Sequence, residues 1–419
     1  MRLIRAVPDA VRRDYAATLL AQWFVLGIGL FLFYLVARRG GVAGFAYYQI
    51  ARGVVSLFQP LAMIGMGQGL HRYLPRASAG SERLALRAFL VQAGVAVGLT
   101  LLGIALGPHL SSLLGLHGGT GAVAAIMIML VGNCLCTMAV AALRGTHQVA
   151  RANTIAAVGF GLIPVLVFSL ADRVEDFLIL QGAGMTVVAA WGTLTVRHSP
   201  GVEEGAGQAI RLRSLIAYGV KRLPGDLALP ALFTYPTFAV AVASPGGPEA
   251  GYVGFATSAV TLICSIFGTL TPVLLPRLSR FFHLAPADGG GTTRKLLVRL
   301  PFYAALLAAA ATLIFSLFSE ALVAGFLGPS FAAAAPILRL GVLSAIPLAM
   351  FYAARPTLDA LLDRPVISRL LLGCLVLQVA VTHLAELVLP PAHAGVLALC
   401  VAASVLGFRS ERLVVRALS

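Results

Sequence analysis

Apolar residues run along this chain in stretches long enough to cross a bilayer, and short polar segments rich in arginine separate them. A helix needs about 20 apolar residues to span the hydrocarbon, and twelve stretches meet that length or come close to it. The first six lie near 16–36, 42–70, 88–107, 120–143, 153–171 and 177–196. The second six lie near 214–243, 250–276, 300–319, 332–353, 367–388 and 394–408. The longest polar segment, Arg197 to Arg213 with Glu203-Glu204 inside it, falls at the midpoint. The pattern predicts an all-α polytopic membrane protein in two six-helix lobes: residues 1–196, a cytoplasmic linker over 197–213, and residues 214–419.

Charge gives the orientation. Lysine and arginine collect on the cytoplasmic side of membrane helices. With the N-terminus in the cytoplasm, 26 of the 31 basic residues fall in cytoplasmic segments. Arg38, Arg39 and Arg173 fall on the opposite side, and Arg52 and Arg339 lie within spans. A missed or invented span would scramble that asymmetry, so both termini are expected in the cytoplasm. The first sixteen residues are basic, but the apolar stretch after them is full length and ends in Arg38-Arg39. It also lacks a small-residue cleavage site, so it reads as the first span rather than a cleaved signal.

Composition narrows the class further. The chain is 59% hydrophobic and 11% charged, with a mean hydropathy of +0.92, where soluble domains run at roughly 45–50% and about 25%. That excludes a soluble enzyme, a nucleic-acid binder and a disordered chain. The net charge of +15 has a topological cause, since nearly all the basic residues lie between spans, so no nucleic-acid partner is implied. Cys134, Cys136, Cys264, Cys374 and Cys400 all lie in apolar stretches, where they act as small hydrophobes. Their spacing suits neither zinc nor a disulfide. No phosphate loop, Ser/His/Asp arrangement, paired carboxylates or His/Cys cluster is visible. No catalytic residue, metal or cofactor is therefore expected, and the outer face offers mainly Asp172, Glu175, Asp176, Glu249 and Glu320.

The two halves share traces of a repeat. Span four leaves the membrane as Ala141-Ala142-Leu143-Arg144-Gly145-Thr146, and span ten as Ala353-Ala354-Arg355-Pro356-Thr357-Leu358. Span two ends in Arg72-Tyr73-Leu74-Pro75-Arg76 and span eight in Pro276-Arg277-Leu278-Ser279-Arg280. Duplicated halves leave such weak similarity in transporters, although any cytoplasmic helix end is arginine-rich. An offset of six spans gives both halves the same orientation, with a pseudo-two-fold axis along the membrane normal.

Polar residues inside spans are the candidate chemistry. Gln49, Arg52, Ser56 and Gln59 are spaced 3, 4 and 3 and share one helix face. Arg52 lies some ten residues from the outer end, about 15 Å along the helix and close to mid-bilayer. An arginine there faces protein or a wet cavity. It either lines a translocation path, where its fork suits a phosphate, or pairs with backbone carbonyls. In span eight Thr257, Thr261, Ser265 and Gly268 share a face, and such hydroxyls also bond their own helix. Pro60 in span two and Pro224, Pro230 and Pro236 in span seven predict interrupted or bent helices. Arg222 and Asp226 are four apart and suit a pair, either a helix-end salt bridge or a cytoplasmic gate. Arg339, about seven residues from the outer end of span ten, lines the pore or snorkels outward. Gln181, Gln378 and His383 read as helix–helix hydrogen bonds. Gly94–Gly98 and Gly103–Gly107 read as close helix contacts.

Four stretches together carry a resemblance. They are Gly65-Met66-Gly67-Gln68-Gly69-Leu70-His71-Arg72-Tyr73-Leu74-Pro75, Leu143-Arg144-Gly145 with Arg151-Ala152-Asn153, Tyr218-Gly219-Val220-Lys221-Arg222-Leu223-Pro224-Gly225-Asp226, and Leu274-Leu275-Pro276-Arg277-Leu278-Ser279-Arg280. With spans split six and six, the chain resembles the polysaccharide-biosynthesis, Wzx-type branch of the multidrug/oligosaccharidyl-lipid/polysaccharide (MOP) flippase superfamily. The resemblance implies an alternating-access protein of two pseudo-symmetric lobes around a central cavity in the bacterial inner membrane. Its substrate would be a lipid-linked oligosaccharide, a polyprenyl-diphosphate glycan flipped during O-antigen, capsule or exopolysaccharide assembly. Its partners would be that glycan, membrane lipids, and polymerase or export proteins of the same pathway. Arg52 and Arg339 fit the cationic cavity the resemblance implies, with Gln49, Ser56 and Gln59 around Arg52 and with Arg222 and Asp226 at the inner gate.

Two other readings stay open. A drug or cation exporter of the same superfamily would be expected to use buried carboxylates, yet no Asp or Glu occurs between residues 15 and 81. A non-transporting scaffold of a polysaccharide-synthesis complex would also lack catalytic residues.

Overall fold

The computed structural model describes residues 9–74, 81–116, 118–146, 148–194, 196, 212–268, 274, 278, 291–361 and 366–418. Residues 197–211 of the expected linker lie outside these, as do Pro75-Arg76 and Pro276-Arg277 of the paired motifs. Eleven helical stretches among the described residues are long and apolar enough to cross a membrane. The first, Ala16–Met63, has 48 residues, about 72 Å at 1.5 Å per residue and more than twice the ~30 Å hydrocarbon core. Gly41 interrupts it at φ 61°, ψ −163°, so it holds two spans. The protein is an all-α multi-pass membrane protein. It divides into two compact units, Met1–Gly40 with Val54–Leu223 and Gly41–Gly53 with Pro224–Ser419.

The first unit takes both ends of α1 (Asp9–Met63), then α2 (Met66–Tyr73), α3 (Ser81–Ala105), α4 (Gly107–Leu113) and α5 (Gly119–Gly145). α6 (Val149–Ala157), α7 (Ile163–Leu170), α8 (Val174–Leu194) and the start of α9 (Leu212–Ala243) complete it. α5 is the buried strut, and α8 packs along it more closely than any other helix of the unit. Glycine makes that approach possible: a Cβ on Gly132 would run into the Gly182 carbonyl, and one on Gly182 into the Ile128 carbonyl. Gly94 and Gly98, expected at a close contact, have nothing within 4 Å of where a Cβ would stand. Their helix, α3, is lipid-like in composition but turns that face outward, so their four-residue spacing carries no packing information.

Two expected interruptions do not fall at the prolines. Pro60 lies inside the helix, and the break of span two comes later, at Ile64 (φ 47°) and Gly65 (φ 63°). A Cβ on Gly65 would stand 2.6 Å from Gly219, so glycine is needed there twice over, for its backbone angle and for the close approach of α9. α9 itself runs unbroken through Pro224, Pro230 and Pro236. A proline inside a helix frees the carbonyl four residues earlier, and other groups take up that role. The carbonyl freed by Pro236 is that of Leu232, and the buried Gln378 amide donates to it at 3.0 Å.

The basic residues on the sparsely charged side also have local reasons. Arg39 donates to the carbonyls of Phe168 (2.9 Å) and Ala171 (3.3 Å), which end α7, and its guanidinium lies 5.5 Å from the Phe168 ring. Arg38 lies over Tyr34 at 5.4 Å. Glu175 and Asp176 occupy the first turn of α8, where the helix dipole favours acids. Arg39→Ala is expected to lower the melting temperature of the purified protein by a few degrees, since an exposed cap of this kind is worth about 1 kcal/mol. An unchanged melting temperature would show that water replaces the arginine.

The second unit takes residues 41–53 of α1 and α9 from Pro224, then α10 (Glu249–Gly268), α11 (Gly291–Leu317) and α12 (Ser319–Leu322). α13 (Ala334–Val342), α14 (Ala345–Leu361), α15 (Val366–Ala385) and α16 (Pro391–Leu418) follow. α14 forms its centre, packed on α11 and α16, with Phe351 and Leu348 fully buried. A Cβ on Gly407 of α16 would strike the Pro347 carbonyl. Residues 41–53 are held by α10 and the turn Pro329–Phe331: Ala46 lies against Gly251, and Phe45 packs edge-on to Phe255 and Phe331.

Candidate functional site

Arg52 lies eleven residues past Gly41 on α1, about 16 Å along the helix and half of a hydrocarbon crossing. Its Nη1 donates to Gln49 Oε1 and to Ser258 Oγ, both at 3.3 Å, and the guanidinium lies 5.9 Å from the Tyr48 ring. All four residues belong to the second unit. Each partner follows from helix geometry. Gln49 is one turn before Arg52 on the same face, and Tyr48, four residues back, offers a π face to the cation. Ser258 comes from α10, whose Gly254 lets the helices approach: a Cβ there would stand 2.7 Å from Gln49 Cβ.

Charge-assisted hydrogen bonds contract to about 2.7–2.9 Å, and the contacts of Nη1 to Gln49 and Ser258 are longer. Ser258 Oγ donates to the Gly254 carbonyl at 2.7 Å, so it meets Arg52 as an acceptor. Gln49 is buried, and its Nε2 has no hydrogen-bond partner among the described residues. The half-buried cation and the unmatched amide N–H thus stand one turn apart on the same helix.

The other expected site residues stand elsewhere. Gln59 is in the first unit and donates to Thr137 Oγ1 of α5 at 2.8 Å, and Ser56 is half-buried one turn before it. Arg339, on α13, donates through Nε to Ser319 Oγ at 2.5 Å and pairs with Glu320 at 2.8 Å; both side chains are substantially exposed. Arg222 donates to the Tyr218 hydroxyl at 3.1 Å and lies over that ring. Asp226 is half-buried, two residues past Pro224 and in the second unit, whereas Arg222 is in the first. Thr257, Thr261 and Ser265 each donate to a carbonyl of their own helix, the reading under which that stripe means little.

Sequence reading missed Tyr48 and Ser258. Tyr48 had a signal, an aromatic residue four positions before a buried cation. Ser258 had none, because it lies 206 residues away and beside the stripe singled out on α10.

The sequence matches no family model and no curated protein. Its fold, by contrast, is shared over nearly the whole chain with solved transporters. An inward-facing multidrug resistance MATE family transporter of the MOP superfamily superposes with a TM-score of 0.73, 13% identity and 95% coverage of each chain. The lipid II flippase MurJ in an inward closed conformation gives 0.67 and 12%, covering 95% of this chain and 87% of its own. A MOP superfamily transporter from Pyrococcus furiosus, described as having a binding pocket of reverse polarity, gives 0.59 and 14%, with 97% and 96% covered. At such identities the likeness carries the fold alone, one shared with transporters and a flippase.

Proposed function

We propose that the protein is a flippase that moves a lipid-linked oligosaccharide, a polyprenyl-diphosphate glycan, across the bacterial inner membrane by alternating access. One observation carries the reading: Arg52 stands half-way along its span beside the buried Gln49 amide, whose Nε2 has no hydrogen-bond partner among the described residues. A cation maintained at that depth against a cost of about 2.5–3.5 kcal/mol implies an anionic cargo, and the guanidinium fork suits a phosphate. The fold is one that a lipid II flippase also uses. Both termini are then cytoplasmic, as the arginine bias requires. In this reading Arg52 and Gln49 bind the diphosphate or an acidic sugar. Ser56, Gln59 and Arg339 are the further residues proposed for cargo binding, and Arg222 and Asp226 those proposed for gating. Polymerase and export proteins of the pathway take the product.

The second reading is a drug or cation exporter, favoured by the higher TM-score with the MATE transporter. The sequence from 15 to 81 offers such a cargo no carboxylate and meets it with Arg52. Mass spectrometry of lipid-linked glycans, in cells with and without the gene and with no second superfamily member, separates the two. Deletion is expected to accumulate a polyprenyl-diphosphate oligosaccharide and to remove the corresponding surface polysaccharide. An unchanged lipid-linked pool with an intact polymer, alongside lost resistance to cationic dyes, would overturn the flippase reading in favour of the exporter.

A further inference from the structure

A second place in the molecule asks for an anion. A cavity of about 340 Å³ opens inside the first unit between α1, α5 and the run from α6 into α7. Val25, Ala156 and Phe160 give it apolar walls, while Gln22, Thr137 and Arg144 supply its polar atoms. Its shape follows from the sequence Val158-Gly159-Phe160-Gly161-Leu162, which forms a widened π turn joining α6 to α7. The two glycines let that turn press inward: a Cβ on Gly159 would meet Cys136 Sγ of α5, and one on Gly161 would stand 2.8 Å from the Phe24 ring of α1. Phe160 between them becomes cavity wall. Such turns recur at functional sites in helices.

Arg144 is the telling residue. It occupies the last turn of α5, where a cation suits the helix dipole and would ordinarily reach for water. Here the half-buried side chain lines the cavity, and its Nε is buried with no hydrogen-bond partner among the described residues. A buried charged donor without a partner is costly unless an anion comes to it. Of the two other polar groups, Thr137 is already engaged, accepting from Gln59 and donating to the Asn133 carbonyl at 2.8 Å each. The cavity thus presents one guanidinium at the end of a greasy slot, on the side the arginine bias marks as cytoplasmic.

We propose that this cavity binds a lipid phosphate, with the phosphate on Arg144 and the first part of an apolar chain along Val25, Ala156 and Phe160. Its volume lies at the lower end of small-ligand pockets, about 300–1,000 Å³. That suits a head phosphate with a short length of chain and excludes a whole glycan. Basic pockets between membrane helices on the cytoplasmic side are where phosphate head groups bind. The ligand can come from bulk phospholipid or from a polyprenyl carrier. The site is in the first unit and separate from Arg52, so it stands whichever cargo the protein moves.

Native mass spectrometry of the purified, delipidated protein tests it, using four probes: dioleoylphosphatidylglycerol, undecaprenyl phosphate, and their neutral counterparts dioleoylglycerol and undecaprenol. Wild type is expected to retain each phosphate lipid roughly ten- to a hundredfold more tightly than its neutral counterpart, the value of a charge-assisted hydrogen bond or two. Arg144→Gln should erase that difference and Arg144→Lys should keep part of it, because the charge survives without the fork. Ala156→Trp, which fills the slot and leaves Arg144 in place, should weaken both phosphate lipids. Tighter binding of undecaprenyl phosphate would identify the carrier as the source, and equal or tighter phosphatidylglycerol the bilayer. Equal binding of phosphate and neutral lipids to wild type would overturn the proposal. So would undiminished phosphate preference in folded Arg144→Gln or in folded Ala156→Trp.

Discussion

Arg52→Gln is expected to leave the protein folded in the membrane and to abolish export. The combination is unusual, because most substitutions that remove function from a membrane helix also weaken it. Here the native residue is the expensive one. A guanidinium at the bilayer centre costs about 2.5–3.5 kcal/mol on insertion scales, and a neutral amide avoids that while still able to donate to Gln49 Oε1 and Ser258 Oγ, which now bond Arg52. Amount in the membrane and melting temperature should therefore hold or rise. Transport should not survive: each hydrogen bond from a guanidinium to phosphate is worth about 1.5–3 kcal/mol, so losing a bidentate pair lowers export about a hundredfold or more. Arg52→Lys should fall between, because it keeps the charge and loses the fork. The measurement is accumulation of the lipid-linked precursor in cells carrying each variant, beside membrane levels of the protein. Full export by Arg52→Gln would make Arg52 a structural residue and favour a scaffold.

How much of this was legible in the sequence depended on what each residue had to satisfy. Spans were legible because the bilayer imposes a length and a composition, and the one merged stretch, Ala16–Met63, contains the two spans that its apolar pattern predicts. Arg52 was legible because charge at mid-span is costly enough to need a reason. Breaks in helices were not. The prolines drew attention, yet α9 passes through three of them with Gln378 of α15 taking up the Leu232 carbonyl, while the true break at Ile64 and Gly65 answers to the Gly219 backbone. These are tertiary causes, set by residues over 100 positions away. Arg339 shows the same limit: its partners Ser319 and Glu320 stand 20 and 19 positions away, where no helix spacing pairs them with it. Arg144 stood in two of the stretches singled out, but nothing there announced a cavity, since that is made by a π turn with no local pattern to mark it.

Glycine gives the sharpest case: of the two pairs that spacing pointed to, Gly103 and Gly107 press on Met127 and Thr120 while Gly94 and Gly98 meet nothing, and Gly132 and Gly182, which spacing did not point to, meet backbone. Gly132→Val is expected to be among the most damaging single substitutions in the first unit. Gly132 and Gly182 bring α5 and α8 into backbone contact, and the obstacle a Cβ would meet at Gly132 is a carbonyl, which no rotamer change can move aside. α5 is also the most buried helix of its unit, so separating it from α8 disturbs buried neighbours of the contact such as Met129, whose backbone meets Gly182, and Met185, which meets Asn133. Overpacking a tight site costs about 1–3 kcal/mol where side chains can adjust and more where backbone must shift. Between membrane helices no hydrophobic driving force compensates, since association depends on this close fit. The variant should reach the membrane at a small fraction of wild-type level, and what is purified should melt several degrees lower. Gly94→Ala is the counterpart. It has the four-residue glycine spacing and nothing within 4 Å of the added Cβ, so it should be neutral or stabilising by about 0.5–1 kcal/mol, the helix preference of alanine over glycine. Thermal melts of the two purified variants decide the matter. Equal midpoints would mean that α5 and α8 do not touch through their glycines, whereas a wide gap would show that contact geometry rather than spacing selects these positions.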